Sequence, residues 1–154
     1  SGTVGAALQG YNRGIQSIAI SVASLRNVRF DSAAVVLAGL AQQVAEGAVP
    51  GTVLLNVNVP PVVREDIKGV DVTRLAGRRY ADTVKLGDDG KRPYYWITRT
   101  RPAWDMEEGT DVWSVRHRRI SITPLQTDMT AVSTLAATKG LPERLRQLFP
   151  PVSS

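Results

Sequence analysis

The chain has 154 residues, of which 43% are hydrophobic and 21% are charged, as is typical of one soluble globular domain. It contains no cysteine and one histidine, which excludes disulfide frameworks, thiolate metal sites and histidine-rich metal centres. The net charge is +5, but residues 64–119 hold 13 of the 19 basic and 10 of the 14 acidic residues, a mixed surface unlike a nucleic-acid-binding stripe.

The opening residues Ser1, Gly2 and Thr3 precede a helical run, predicted as a helix at 3–13 that Gly14 ends. The N-terminus of a helix has free N–H groups and a favourable dipole, so it can bind an anion, and the two hydroxyls add donors. On these residues alone an ordinary N-cap, formed by Ser1 or Thr3, is the favoured interpretation. Because a helix of this kind usually follows a strand, we expect the chain to be part of a longer protein.

Helices and strands alternate through the first 60 residues. A buried strand is predicted at 16–22, a helix at 31–46 begun by Asp31 and Ser32, and a strand at 52–59. The helix should present a broad apolar face, formed by Val35, Leu37, Leu40, Ala41 and Val44. The last strand should alternate, with Val53, Leu55, Val57 and Val59 on one face and Leu54, Asn56 and Asn58 on the other. This alternation indicates a mostly parallel sheet covered by helices.

The middle third changes character. After a strand at 69–75, two strands at 80–86 and 92–98 flank a turn and form a hairpin, within an arm at about 78–98. Much of the aromatic content lies in this part of the chain, as Tyr94, Tyr95, Trp96 and Trp104. Each ring can bury about 150–250 Å², so we expect the arm to close on the body of the protein or on another subunit.

The sequence Asp88-Asp89-Gly90 lies at the tip of this hairpin. Paired carboxylates are common metal ligands. Here the pair stands between glycines, where aspartate and glycine serve the turn itself. The turn is therefore the favoured interpretation.

In the last third, Thr110 or Asp111 should cap a short helix at 109–115. The basic run 116–119 could grip an acidic ligand, but a solvated connection is favoured. Nothing in the sequence marks His117 as a catalytic base. A strand at 120–125 and helices at 130–139 and 141–149 complete the prediction.

Several segments, taken together in order, resemble the SurE family, the stationary-phase survival nucleotidases. They are Ser1-Gly2-Thr3-Val4-Gly5-Ala6-Ala7, Leu55-Asn56-Val57-Asn58-Val59-Pro60, Arg92-Pro93-Tyr94-Tyr95-Trp96-Ile97, and Gly109-Thr110-Asp111 with Ser121-Ile122-Thr123-Pro124-Leu125. The resemblance covers roughly residues 1 to 131. One departure is local: a Gly-aromatic pair is usual where this chain has Arg118 and Arg119.

The resemblance implies a metal-dependent phosphomonoesterase, a 5'/3'-nucleotidase that acts on nucleoside monophosphates and, in some members, on short polyphosphate. The family holds one divalent ion, magnesium or manganese, through an Asp-Asp pair, a Ser and an Asn. Those ligands precede the Ser-Gly-Thr motif and none is present here, so we expect this chain alone to be inactive. The residues carried over are Ser1, Gly2 and Thr3, which the resemblance implies hold the substrate phosphate. Asn56 and Asn58 also match a family motif and are interpreted as structural.

The fold implied is a three-layer, Rossmann-like α/β sandwich with a projecting hairpin arm used in dimer or tetramer assembly. We expect residues 1–154 to be the C-terminal portion of a single domain. A homodimer or homotetramer in the cytoplasm is expected, with no membrane partner, since no apolar run reaches the roughly 20 residues of a membrane span. One alternative remains open, a non-catalytic oligomerisation or interaction fragment. A nucleic-acid-binding module driven by the positive charge is not expected, because the acidic residues are interleaved with the basic ones.

Overall fold

A four-stranded sheet forms the centre of the structure. The structure is a computed structural model, and it describes residues 2–26, 28–79, 82–88, 90, 92–99, 103–104 and 107–146. The larger elements, in chain order, are α1 (Gly2–Tyr11), β1 (Ser17–Val22), α2 (Asp31–Ala45), β2 (Leu54–Val59), β3 (Gly69–Val72), β4 (Arg78–Arg79), β5 (Asp82–Asp88), β6 (Pro93–Arg99), β7 (Ala103–Trp104), α3 (Asp111–Arg116), β8 (Arg119–Pro124), α4 (Val132–Thr138) and α5 (Leu141–Arg146). A 3-10 turn, Arg64–Asp66, precedes β3.

The central sheet has the strand order β1-β2-β8-β3. The pairs β1–β2 and β3–β8 are parallel, and β2–β8 is antiparallel. The predicted mostly parallel sheet with flanking helices is confirmed. Because β8 runs against β2, the carboxyl ends of β1 and β2 lie at the same edge of the sheet as the start of β8. We call this edge the carboxyl edge.

One face of the sheet is apolar and packs against α2. Its buried core joins α2 to β2 and β8 through Ala33, Val44, Leu55, Val57, Val59 and Ile120. The predicted alternation along β2 is confirmed, and Val57 has no exposed surface. The predicted face of α2 is partly wrong, since Val35 is half exposed and Ala41 is exposed. The helix is rotated so that Ala33 and Val36 face the sheet, at positions i and i+3 of the stripe that continues through Leu40 and Val44.

The start of α2 also differs from the prediction. Phe30 occupies the N-cap position and no side chain caps the helix, so Asp31 and Ser32 are not caps. Asp31 lies in the first turn, where a carboxylate still interacts favourably with the helix dipole. At the other end, Gly47 adopts φ +80°, as a glycine that stops a helix does.

The opposite face of the sheet carries small and polar side chains and packs against α1 and α3. Ala19, Ser121 and Thr123 are buried there. The hydroxyl of Thr73 lies 2.8 Å from that of Ser121 and 2.7 Å from that of Thr123, so these buried groups satisfy one another. Helices therefore cover both faces, which gives the three layers expected.

The turn between α3 and β8 contains a residue with a left-handed backbone. Arg118 adopts φ 61°, the one non-glycine residue with positive φ among the described residues. Its carbonyl accepts a hydrogen bond from Lys68 N–H (2.9 Å), which ties the turn to the segment before β3. The geometry of the turn therefore places residue 118 in the left-handed region, although the residue is an arginine and not a glycine.

Arg119 and Asp71 form a partly buried ion pair across β8 and β3. The guanidinium Nη2 lies 2.6 Å from Asp71 Oδ1, and Nε lies 2.7 Å from Oδ2, while Ser114 Oγ donates to the same Oδ2 (2.8 Å). The prediction of a solvated basic connection is therefore wrong for Arg119. The Arg119 hydrogen bonds lower the pKa of Asp71, with help from Ser114 and against the opposing effect of desolvation.

The predicted hairpin is confirmed: β5 and β6 pair antiparallel, from Asp82 opposite Arg99 to Asp88 opposite Pro93. Among the described strands, these two pair only with each other. Tyr95 is 72% exposed, so it is not closed on the body of this chain. The side chains of Trp96 and Trp104 lie outside the described residues, so their prediction stays untested.

Boundaries elsewhere agree with the prediction within a few residues. Strand β3 ends at Val72 and helix α4 begins at Val132, both shorter than predicted. Helix α5 is described to Arg146, and the rest of the predicted helix lies outside the described residues. Within the described part of the chain, no helix has the length and apolar character to cross a bilayer.

Replacing Asp71 with asparagine tests the ion pair. The pKa of Asp71 is lower in the folded protein than in the unfolded chain. As the pH falls, Asp71 of the unfolded chain therefore binds its proton first, at about pH 3.9. Stability from this pair is therefore present above that pH and is lost as the pH falls through the lower folded-state pKa. We expect Asp71→Asn to unfold at a lower temperature than the unchanged protein at pH 7, and the difference to shrink in acid, in thermal unfolding followed by circular dichroism.

Glu143→Gln is the control for that experiment. It breaks a pair with Arg146 of similar length, 2.9 Å, but with both side chains about three-quarters exposed. Exposed pairs contribute little, so we expect no measurable change at any pH. Equal effects of the two substitutions, or a pH-independent effect of Asp71→Asn, would contradict the analysis.

Replacing Arg118 with glycine should stabilise the protein. A left-handed backbone destabilises the folded state by roughly 1–2 kcal/mol when the residue is not glycine. Glycine removes this strain, but its greater freedom in the unfolded chain offsets about 0.4–1 kcal/mol of the gain. Arg118→Gly should therefore raise the free energy of unfolding by up to about 1.5 kcal/mol in urea titrations, whereas Arg118→Val should lower it. Destabilisation by glycine would show that the turn does not carry this strain.

Candidate functional site

The predicted phosphate-contacting residues lie at the N-terminal end of α1. Gly2 and Thr3 form its first turn and are both exposed, whereas Ser1 lies outside the described residues. Thr3 is inside the helix, so it is not the N-cap residue. The free N–H groups of this turn and the Thr3 hydroxyl are open to a ligand. Nothing lies within 4 Å of the position that a Cβ on Gly2 would take.

Helix α1 places this end at the carboxyl edge. Its other end lies over the start of β1, where a Cβ on Gly10 would stand 2.7 Å from Ser17 Oγ. The helix therefore runs back across the strand, with Gly2 and Thr3 toward Val22, the last residue of β1. Ligands of open α/β sheets bind beyond the carboxyl ends of the parallel strands, so the position agrees with a binding role.

Helix α3 lies on the same face of the sheet as α1. Its N-cap is Thr110, as predicted, whose hydroxyl accepts the Trp113 N–H at 3.3 Å. Asp111 holds the preceding chain in place, since its Oδ1 accepts hydrogen bonds from Ala76 N–H and Val112 N–H, each 2.8 Å. These contacts fix the helix over β2 and β8.

A cavity of about 580 Å³ lies beside α3 at the carboxyl edge, and we call it the α3 cavity. It is lined by Ala23, Leu25, Asn58, Asp111, Val112, Val115 and Arg116. Asn58 comes from β2, one residue before its end, and Ala23 directly follows β1. The cavity has the size and the mixed lining of small-molecule sites.

Two polar groups of the α3 cavity are unpartnered within the described part of the chain. The Asn58 amide and the Arg116 guanidinium form no hydrogen bond and no ion pair there. The sequence alone favours a structural role for Asn58 and a solvated connection for Arg116. A possible signal was the position of Asn58 just before the prolines that end β2, because side chains at strand ends line the edge of a sheet.

Of the remaining candidates, His117 is bonded to α3 and Asp88 belongs to the hairpin. His117 Nδ1 is hydrogen-bonded to the carbonyl oxygen of Trp113 (2.8 Å), and its ring lies on the Trp113 ring with centroids 4.1 Å apart. Asp88 ends β5 opposite Pro93, Gly90 has φ +79°, and Asp89 lies outside the described residues. Among the described residues, no three His, Cys, Asp or Glu side chains are grouped to hold a metal ion.

The family model described as "Survival protein SurE" matches residues 1–82. Two curated relatives are named 5'-nucleotidase SurE, from Aquifex aeolicus, and 5'-nucleotidase SurE 1, from Thermus thermophilus. They are 39% and 47% identical over 92% and 93% of this chain. The chain spans 57% and 56% of their lengths, a little over half of each.

The fold is also similar to a solved structure. The crystal structure of the SurE protein from Aquifex aeolicus superposes with a TM-score of 0.77 at 38% sequence identity, covering 92% of this chain and 58% of that one. The likeness therefore extends beyond residues 1–82, the region that the family model matches. With the sequence match over more than half of its length and the common fold, the chain belongs to the SurE family of survival proteins.

Proposed function

We propose that the complete protein is a nucleotidase that releases phosphate from nucleoside monophosphates. The observation that carries this proposal is the 39–47% identity to relatives named 5'-nucleotidase SurE over more than nine-tenths of the chain. The geometry supports it, because the first turn of α1 points its free N–H groups toward the carboxyl edge. In this proposal Gly2 and Thr3, with Ser1 before them, hold the phosphate, and residues 1–154 contribute the C-terminal portion of one domain.

A divalent ion, magnesium or manganese, belongs to the proposal for the complete protein, where it would polarise the phosphoryl group and lower the pKa of bound water. Among the described residues, no three His, Cys, Asp or Glu side chains are grouped to hold such an ion, and Asp88 ends a strand of the hairpin. The part played by this chain is to position the phosphate. A helix N-terminus stabilises a neighbouring negative charge by about 0.3–1 kcal/mol. Enzymes that hydrolyse phosphomonoesters lower the activation barrier by roughly 20 kcal/mol, so the helix N-terminus supplies a small part of that.

The test is an assay of phosphate release from AMP, performed on the complete protein and on residues 1–154, each with and without manganese. We expect metal-stimulated turnover by the complete protein and none by this chain alone. Turnover by this chain with metal would show that a carboxylate site exists within it. Absence of turnover by the complete protein would contradict the proposed nucleotidase function.

Thr3→Val tests the phosphate contact in the complete protein, because it keeps the shape of the side chain and removes the hydroxyl. A hydrogen bond to a charged group contributes about 1.5–3 kcal/mol, so kcat/KM should fall about tenfold or more. Thr52→Val is the control, since Thr52 is exposed at the opposite edge of the sheet, before β2. Equal activities of the two variants would show that the Thr3 hydroxyl does not contact the phosphate.

We further propose that the arm β5–β6 forms a subunit interface in a homodimer or homotetramer. Tyr95 is 72% exposed on a hairpin whose strands pair only with each other among the described strands. A stable interface buries at least about 1,200 Å² in total, and large aromatic side chains are enriched in such surfaces.

Light scattering at micromolar concentration should give the complete protein a mass of two or four chains. Tyr95→Asp, which would place a charge in that interface, should reduce the mass. Val49→Asp, at an apolar side chain 39% exposed outside the arm, should leave it unchanged. A mass of one chain for the unchanged protein would contradict the interface and favour a monomer.

A further inference from the structure

Helix α1 approaches β1 at one point more closely than a side chain at that position would allow. A Cβ on Gly10 would stand 2.7 Å from Ser17 Oγ and 4.0 Å from the Cβ atoms of Ser17 and Ile15. Non-bonded heavy atoms in contact lie about 3.5–4.0 Å apart, so the Oγ alone would be too close. At the other glycines of the described helices a Cβ would meet no atom within 4 Å: Gly2, Gly5 and Gly39.

The Ser17 hydroxyl is held in the place where that Cβ would need room. Ser17 is 7% exposed, and its Oγ donates a hydrogen bond to the carbonyl oxygen of Ile15 (2.9 Å). A rotation that cleared the space would break this bond in a buried position, which is costly. The backbone is fixed as well, because the Ser17 N–H donates to the carbonyl oxygen of Val53 (2.9 Å), just before β2. An atom added at Gly10 would therefore move the helix and not the strand.

The end of α1 is also bonded to the chain that enters β1. The carbonyl oxygen of Gly10 accepts hydrogen bonds from the N–H groups of Arg13 (2.9 Å) and Ile15 (3.1 Å). Gly14, with φ +76°, makes the turn between the helix and the strand. Gly10, Ile15 and Ser17 therefore form one connected unit, which we call the α1 anchor.

The α1 anchor lies at the opposite end of the helix from the proposed phosphate contact. Gly10 and Thr3 are about 10 Å apart along a helix that rises 1.5 Å per residue. Because a helix is a rigid element, a displacement at one end is carried to the other. To accept a Cβ at Gly10, the helix would have to move by about 1 Å. A misplacement of that size can lower the rate of an enzyme about a hundredfold.

We propose that Gly10 is a positioning residue for the phosphate contact, and that it acts through its close approach to Ser17. The absence of a Cβ lets α1 lie close to β1, so that the first turn of the helix stands where it can bind the phosphate. This inference rests on the proposed nucleotidase function. It makes phosphate binding depend on the α1 anchor, whose residues do not touch the phosphate.

The test measures two quantities of the complete protein: kcat/KM for AMP, and the inhibition constant of inorganic phosphate, a product of the proposed reaction. Gly10→Ala should lower kcat/KM about tenfold or more and should weaken phosphate inhibition by a similar factor. The matched control is Gly39→Ala, the same substitution in α2, where a Cβ would have open space. It should leave both quantities unchanged.

A second substitution should rescue the first. Ser17→Ala removes the Oγ and leaves the Cβ of residue 17 at 4.0 Å, an ordinary contact distance. Two substitutions in direct contact are not additive, so the double variant that carries Gly10→Ala and Ser17→Ala should recover both quantities. We expect its kcat/KM to lie within about twofold of that of Ser17→Ala alone.

Thermal unfolding followed by circular dichroism separates positioning from stability. The activity measurements are made well below the lowest unfolding temperature of the four variants, where each is folded. A loss of stability alone would then leave the inhibition constant of phosphate unchanged, whereas a displaced first turn would raise it.

The outcomes distinguish this inference from the proposed function. If the unchanged protein releases no phosphate from AMP, the proposed function fails and this inference fails with it. If it is active but Gly10→Ala matches Gly39→Ala in both quantities, the nucleotidase stands and the positioning role is overturned. The role is also overturned if Ser17→Ala does not restore the Gly10→Ala protein. A Gly10→Ala protein that does not fold, or that loses stability with unaltered phosphate inhibition, would assign the contact to the fold and overturn the role as well.

Discussion

The alternation of side chains along β2 is the constraint on which the rest of the structure depends. Leu55, Val57 and Val59 point into the apolar core against α2, so Asn56 and Asn58 must point to the other face. A slip of one residue in the pairing with β1 would exchange the two sets and bury two amides in the core. The burial of three aliphatic side chains thus fixes the amide of Asn58 at the carboxyl edge.

The polar face lets two helices approach the sheet closely. Gly10 of α1 lies over Ser17, where no room remains for a Cβ beside the hydroxyl. On the other side, Ser114 of α3 reaches Asp71 at 2.8 Å, and Arg119 holds the same carboxylate. The α3 cavity lies beside α3 at the carboxyl edge, so the ion pair that anchors this helix also supports the wall of that cavity.

Local patterns were sufficient to predict most elements of the central sheet. The two-residue alternation in β2 and the glycines that end α1 and α2 are signals that depend only on nearby residues in the sequence, and the structure agrees with both. Long-range contacts were not predictable in this way. Asp71 and Arg119 are 48 residues apart, so their pairing depends on the β3–β8 register, which no local pattern encodes. For the same reason Asn58 and Arg116 gave no sign that they line one cavity.

The phosphate contact at the N-terminal end of α1 is the central claim, and a crystal structure of the complete protein with bound AMP tests it most directly. The account predicts the phosphate at the first turn of α1, within hydrogen-bond distance of the Thr3 hydroxyl or its neighbouring N–H groups. A phosphate bound elsewhere, with the first turn of α1 facing solvent, would contradict it.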